Sequence, residues 1–284
     1  MIKVLKSGLF STIQDKGRFG YGAFGVPKSG TMDLYSAKLA NTLLGNAATD
    51  AVLEITMTGP KLKFEVESYI VICGADISPS INGEMIQNNK VYSILKGDII
   101  EFGKLKSGLR TYMAVKGGFK TEIVLGSQSY YKPITINDSI TKGDVLSFNA
   151  LTTKSKPSKL FSKLKLIDFS SEIINVFKGP EFELLSNLQK DQLKSAQFMV
   201  SKLYNRMAYQ LSPLINNDLK SILTGPVLPG TVQLTPSGQL IVLMRDCQTT
   251  GGYPRVLQLT ESAINLLSQK KERDILTFNL IEFP

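Results

Sequence analysis

The chain has 284 residues, 43% hydrophobic and 20% charged, with two cysteines, no histidine and a formal net charge of +9 at pH 7. That length favours two domains of roughly 100–150 residues each. Without histidine there is no Ser-His or Cys-His nucleophile pair and no histidine-ligated zinc, and Cys73 and Cys247 lack metal-ligand spacing.

No apolar run approaches the ~18 residues of a membrane span. The opening "MIKVLKSGLFSTIQD" has a broken apolar pattern and does not read as a signal peptide. A cytoplasmic protein is expected, with no membrane partner. Lysines are spread along the chain rather than striped with aromatics, so nucleic acid is not expected either. The positive charge fits a solvated surface or an acidic partner protein.

In chain order, the first notable segment is "TIQDKGRFGYGAFGVPKSGTMD", Thr12 to Asp33. Its glycines permit close approach to a ligand and set Gln14, Asp15, Arg18, Ser29 and Asp33 on irregular backbone. It lacks the G-x-x-x-x-G-K-[ST] pattern of a phosphate loop. Asp33 can cap a helix through "LYSAKLANTLL", stopped by Gly45. Glu54 in "LEITMTGP" is a carboxylate among apolar residues. It is either a solvent-facing strand residue or a buried, paired acid, since an unpaired buried charge is costly.

"YIVIC" at 69–73 reads as a buried strand, and Asn82-Gly83 suits a tight hairpin. Lys116 in "MAVKGG" lacks the Ala-Met-Lys-Met setting of a biotinyl lysine and reads as a strand-ending turn, so covalent biotin is not expected. One phrase recurs as Lys96-Gly97-Asp98 before "IIEF", Lys142-Gly143-Asp144 before "VLSF" and Arg273-Asp274 before "ILTF". Each is a turn launching an alternating strand.

Residues 151–169, opening on "LTTKSKPSKLFSKLK", read as a linker between domains at 1–150 and 170–284. A second helix lies within "FELLSNLQKDQLKSA" and a third in "ESAINLLSQ", capped by Thr260. In "YNRMAY", Asn205 precedes Arg206, whose planar fork suits a substrate carboxylate or an ion pair. The strand "QLIVLM" then runs into "RDCQTTGGYPRV", with Asp246, Gln248, Thr249, Thr250, Gly251, Gly252 and Tyr253 crowded together. This is either a strand-end turn or a backbone brought close to a ligand.

Weak self-similarity relates the two halves: "TGPKLKF…YIVICGAD" matches "TGPVLPG…LIVLMRD", setting Asp76 opposite Asp246. Short strands and sparse helices argue for a mainly β protein with a few short helices, built as two β-barrels.

Taken together, "TIQDKGRFGYGAFGVPKSGTMD", "NRMAYQL", "GPVLPGTVQL" and "DCQTTGGYPRV" resemble the carboxyltransferase-related family that holds allophanate hydrolase subunit 2, KipA and the C component of 5-oxoprolinase. The resemblance runs from about residue 3 to 280. It implies two cyclophilin-like β-barrels and partnership with two other proteins of a 5-oxoprolinase, a B-type (KipI-like) one and an A-type one. The activity implied is ATP-dependent opening of 5-oxo-L-proline to L-glutamate, with this component inactive alone.

On that resemblance, Asp15, Glu54 and Asp246 are candidate catalytic acids or bases. Gln14, Arg18, Ser29, Asp33, Asn205, Arg206 and the 248–253 loop are candidate substrate contacts, with the two segments facing a shared cleft. Cys247 stands where relatives often carry arginine, and Ala208 where they often have glycine. Two alternatives share the resemblance. One is a carboxyltransferase acting on urea or a related amide, using carboxybiotin from another protein. The other is a KipA-like antagonist of a kinase inhibitor.

Overall fold

The computed structural model describes residues 1–149 and 167–282, so most of the expected linker lies outside the described residues. The chain forms two compact units, Met1–Arg18 with Ser29–Leu166 and Phe19–Lys28 with Ile167–Pro284. The glycine-rich segment thus divides, its middle grouping with the second unit. The architecture is mainly β, with three α-helices among the described residues.

The first unit holds strands β1 (Ile2–Lys6), β2 (Phe10–Gln14), β3 (Val52–Thr56), β4 (Lys61–Phe64), β5 (Ser68–Asp76) and β6 (Pro79–Ile81). It continues with β7 (Glu84–Met85), β8 (Val91–Ile94), β9 (Ile99–Phe102), β10 (Ser107–Val115), β11 (Phe119–Lys120) and β12 (Val145–Phe148). They pair as two sheets, in the orders β11-β12-β1-β4-β9-β6-β7 and β2-β3-β10-β5-β8. The sheets share one core, to which the first gives Ile2, Val4, Leu62, Phe64 and Ile100, and the second Ile13, Leu53, Ile55, Ile70, Ile72, Met113 and Val115.

Alternate residues of the five-stranded sheet point to its other face, where α1 (Leu34–Leu44) lies. There Val52, Val71, Cys73, Tyr112 and Ala114 meet Ala37, Ala40 and Leu44. Burial on both faces explains why "YIVIC" is continuously apolar rather than alternating. The helix has the caps expected of it: Asp33 accepts from the Ser36 amide, and Gly45 closes the last turn at φ 63°. Lys116 donates to the carbonyls of Leu44 (2.9 Å) and Gly45 (3.0 Å), placing its ammonium at the helix C-terminus.

The second unit comprises β13 (Ile173–Lys178), β14 (Phe198–Tyr204), β15 (Ala208–Ser212), β16 (Gly225–Pro226), β17 (Thr231–Leu234), β18 (Leu240–Leu243), β19 (Thr250–Gly251), β20 (Arg255–Leu259) and β21 (Ile275–Leu280). Seven of these close a barrel in the order β13-β20-β17-β18-β15-β14-β21, sealed by the parallel β13–β21 pair. Closure leaves no free edge in that ring. The helices α2 (Asn187–Ser195) and α3 (Glu261–Leu267) fall in the two segments expected, capped by Ser186 and Thr260.

The recurring turn phrase is one structural device used three times. Gly97, Gly143 and Arg273 occupy the left-handed region at φ 97°, 99° and 71°. The aspartate that follows accepts from the backbone three residues back: Asp98 from Leu95, Asp144 from Thr141, Asp274 from Lys271. Each turn also clamps a neighbouring strand by two backbone bonds, at Phe64, Val4 and Val200. The recurrence of this phrase in the sequence therefore has a physical source in the turn.

Candidate functional site

The residues singled out by sequence fall into one group in each unit. In the first unit, Glu54 is the buried, paired acid of its two readings. Glu54 and Arg110 are 0% and 2% exposed, with Arg110 Nε 3.9 Å from Glu54 Oε1. The other Glu54 oxygen accepts from the Met32 amide at 2.8 Å, and the Asp33 amide donates to the Tyr112 hydroxyl at 2.8 Å. Burial, followed by the charges of Glu54 and Asp33, pushes the Tyr112 phenol well above its ordinary range, so it stays neutral. Register explains the cluster, since Tyr112 lies directly opposite Glu54, and Glu54 opposite Thr12.

Asp33 is occupied as the helix cap, accepting from the Ser36 amide (3.0 Å) and hydroxyl (2.6 Å). The Thr31 amide donates to the Asp15 carbonyl at 3.1 Å. The backbone of 31–33 is therefore held at three successive amides. Ser29, at φ 55°, is buried. Gly30, at φ 86°, lies so near the 16–17 backbone that a Cβ would sit 2.9 Å from Gly17 N. Only glycine fits there.

Asp15 is a hub. Its carboxylate accepts from the Gly17 amide (2.8 Å), the Ser127 hydroxyl (2.6 Å), the Ser129 hydroxyl (2.7 Å) and the Gln128 amide (2.8 Å). Gln14 donates to the Tyr130 carbonyl at 3.0 Å, and the Arg18 guanidinium to the Ser129 carbonyl. All three side chains fasten the 127–130 segment.

In the second unit, three of the motifs converge. Arg206 grips Asp246 with both arms of its fork, Nε to Oδ2 at 2.7 Å and Nη2 to Oδ1 at 3.1 Å. The fork that would take a substrate carboxylate is filled by Asp246, and the two anchor the loop together. Asn205 is exposed and turns the β14–β15 hairpin, accepting from the amides of Met207 (2.7 Å) and Ala208 (3.0 Å).

"GPVLPG" pairs with "QTTGG": β16 lies antiparallel to β19, and the Val227 amide donates to the Thr249 carbonyl at 3.0 Å. Two further arginine–carboxylate pairs brace the loop. Arg245 joins Glu261 at the start of α3, and Arg255 joins Glu181 at 2.7 and 2.9 Å. The Arg255 guanidinium holds the Glu181 carboxyl below its usual value, and Glu181 raises Arg255 in turn. The stretch 245–255 is thus pinned by three such pairs.

Above them lie the groups that can meet a ligand. Thr250 is exposed, Gln248 and Thr249 are half-buried, and Tyr253 is 39% exposed. Gln233 underlies the loop, accepting from Gln248 at 3.5 Å and donating to the Tyr253 carbonyl at 3.4 Å. A Cβ on Gly251 would come within 2.4 Å of Gln233 Nε2, whereas one on Gly252 meets nothing nearer than 3.6 Å. A side chain at 251 would have to displace the Gln233 amide, whereas one at 252 would displace nothing. The Cys247 thiol is buried and pushed up to about 12, so it is a protonated packing group.

Arg110, Tyr112, Gln233, Glu181 and Arg255 were not singled out by sequence. The available sign for the first two was strand alternation, since 110 and 112 share a face with each other and, across the ladder, with Glu54.

The chain belongs to the carboxyltransferase domain family, subdomains A and B, whose model matches residues 24–280. It is 30% identical to the C subunit of 5-oxoprolinase from Escherichia coli (strain K12) over 276 residues, 95% of this chain and 87% of that protein. It is 40% identical to the urea amidolyase of Lachancea kluyveri over 152 residues, 52% of this chain but 8% of that protein. The crystal structure of TTHA0988 superposes with a TM-score of 0.88 at 29% identity, covering 98% of this chain and 55% of that one.

Proposed function

We propose that this chain is the C-type component of a multi-subunit, ATP-dependent 5-oxoprolinase and is inactive without A-type and B-type partners. The observation that carries this reading is the end-to-end match to the Escherichia coli protein, set against the 8% of the urea amidolyase that the chain covers. In the assembled enzyme ATP supplies activation of the lactam. The sequence has no Walker-type phosphate loop.

This chain's part is binding and orientation. Gln248, Thr249 and Thr250 hold the polar edge of the lactam, and the pairs beneath keep them fixed before substrate arrives, which is how a preorganised site lowers a barrier. Asp246 is a positioning residue acting through Arg206. In the first unit Asp15, Asp33 and Glu54 hold backbone in place and so also act as positioning acids, with Gln14, Arg18 and Ser29 in the same framework.

Gln248→Ala, Thr250→Val and Gly252→Ala test this in the reconstituted complex. Each is expected to lower turnover at least tenfold while melting temperature and partner binding stay near wild type. Near-normal turnover in all three would reduce the stretch to a structural turn.

The urea alternative is favoured by the 40% local identity to the urea amidolyase. Carboxylation of urea in the presence of carboxybiotin and the partner proteins, without 5-oxoproline turnover, would select it. Partner binding with neither activity would select a KipA-like regulatory role.

A further inference from the structure

The connection between β11 and β12, residues 121–144, contains no strand or helix beyond one isolated bridge between Val124 and Ser127. Structureless loops longer than about 12–15 residues are uncommon in compact domains and are usually functional. This one is also held rigidly. Asp15 binds it at 127, 128 and 129, Gln14 at the Tyr130 carbonyl, the Ile13 carbonyl at the Tyr130 amide (2.9 Å) and the Ser11 carbonyl at the Ile140 amide (2.8 Å). Thr135 closes it internally, accepting from the Tyr131 amide and donating to the Asn137 carbonyl. Such an investment of buried polar groups in an irregular segment calls for a use.

The loop walls a cleft of about 270 Å³ in the first unit. Ile13, Phe119 and Leu146 back the cleft but are almost wholly buried, at 0%, 1% and 5% exposed. Ile136 (85% exposed) and Val145 (55%) supply the accessible apolar lining.

Lys120 and Tyr130 are among the polar residues that line the cleft. Lys120 lines the cleft, is half-buried, and has no ion pair among the described residues. Tyr130 lines it too, and burial, partly offset by a hydrogen bond with the Asn137 side chain, raises its phenol, which stays neutral. Glu122 lies on the same cleft but is exposed, where water screens it. An apolar lining with a few polar groups is the general form of a small-ligand site.

We infer that this cleft binds a small monocarboxylate with a compact apolar body, its carboxylate on Lys120 and Tyr130 and its body against Ile136 and Val145. A lysine with no ion pair among the described residues, in a cleft that also holds a phenol, selects an anion, and the exposed apolar side chains select against small, wholly polar anions. The inference does not rest on the proposed activity, although 5-oxo-L-proline has the size and charge required.

The test is binding to the purified full chain by NMR titration or calorimetry. The probes are 5-oxo-L-proline, cyclopentanecarboxylate and benzoate, with benzamide as the neutral match to benzoate. At least one carboxylate is expected to bind, and benzoate at least tenfold more tightly than benzamide if it is that one. Lys120→Met should weaken the carboxylate at least tenfold, and Glu122→Gln should tighten it slightly. Both sites are solvent-accessible and outside the core, so their melting temperatures should match wild type; Tyr130→Phe provides a second, isosteric variant.

Failure of all three carboxylates to bind, equal binding of the amide, or undiminished binding to both Lys120→Met and Tyr130→Phe would overturn the inference. Binding of benzoate but not 5-oxo-L-proline would support the site while counting against 5-oxoproline as its occupant. The activity of the assembled complex, measured separately, decides the oxoprolinase reading.

Discussion

Removing the charge of Asp246 probes the anchoring of the 245–255 stretch most sharply. Asp246 and Arg206 are 9% and 8% exposed and bonded in two-armed geometry. Exposed ion pairs contribute about 0–1 kcal/mol, whereas losing one partner of a buried pair costs about 3–5 kcal/mol because the other charge is stranded. The residual exposure, and the single hydrogen bond an amide can still accept, place Asp246→Asn at about 2–3 kcal/mol. In a domain of this size each kcal/mol moves the melting temperature by about 3–5 °C, so a fall of about 6–15 °C is expected. Scanning calorimetry on Asp246→Asn, Arg206→Met and the double variant gives the coupling directly, expected at about 2 kcal/mol. A fall below about 2 °C for Asp246→Asn, or a coupling near zero, would refute the claim that this pair holds the loop.

Four further outcomes are expected. Arg255 holds Glu181 below the ordinary carboxylate value of 4.5, so the pair's contribution is fully present above about pH 5 and is lost as pH falls through the lower folded value; the wild-type advantage over Glu181→Gln in melting temperature should be full at about pH 7 and shrink towards about pH 3. Gly30→Ala places a Cβ 2.9 Å from backbone at φ 86° and should cost about 2–4 kcal/mol by denaturant titration, while Gly252→Ala should cost less than about 1 kcal/mol. Lys116→Met should lower stability by about 0.3–1 kcal/mol through loss of the helix-end cation. The net charge of +9 predicts that association with an acidic partner protein weakens between low and physiological salt, read as a rising Kd.

Where local chemistry decides the structure, the sequence was readable. Asp33 and Thr260 cap helices because a short oxygen side chain can meet an exposed amide, and Gly45 ends α1 because it adopts the left-handed region freely. The Lys-Gly-Asp phrase could be read as a turn for the same reason, since its aspartate bonds within three residues.

What the sequence left open depends on register and on contacts distant along the chain. Whether Glu54 faced water or Arg110 is fixed by the pairing of β3 with β10, and no spacing within "LEITMTGP" reveals that partner. Arg206 was compatible with a substrate carboxylate or a protein one until the fold brought Asp246, 40 residues along the chain, into its fork. Asp15 and Gln14 could be recognised as crowded polar residues, but their partners at 127–130 follow an irregular loop with no periodicity to read.

The central claim is most directly tested by 5-oxoproline-dependent phosphate release and glutamate formation, measured for the purified chain and for the chain combined with its A-type and B-type partners. The account predicts no turnover by the chain alone, turnover by the three-component mixture, and loss of that turnover when this chain is omitted or carries Thr250→Val. Turnover proportional to the isolated chain, or undiminished turnover by the partners without it, would contradict the account.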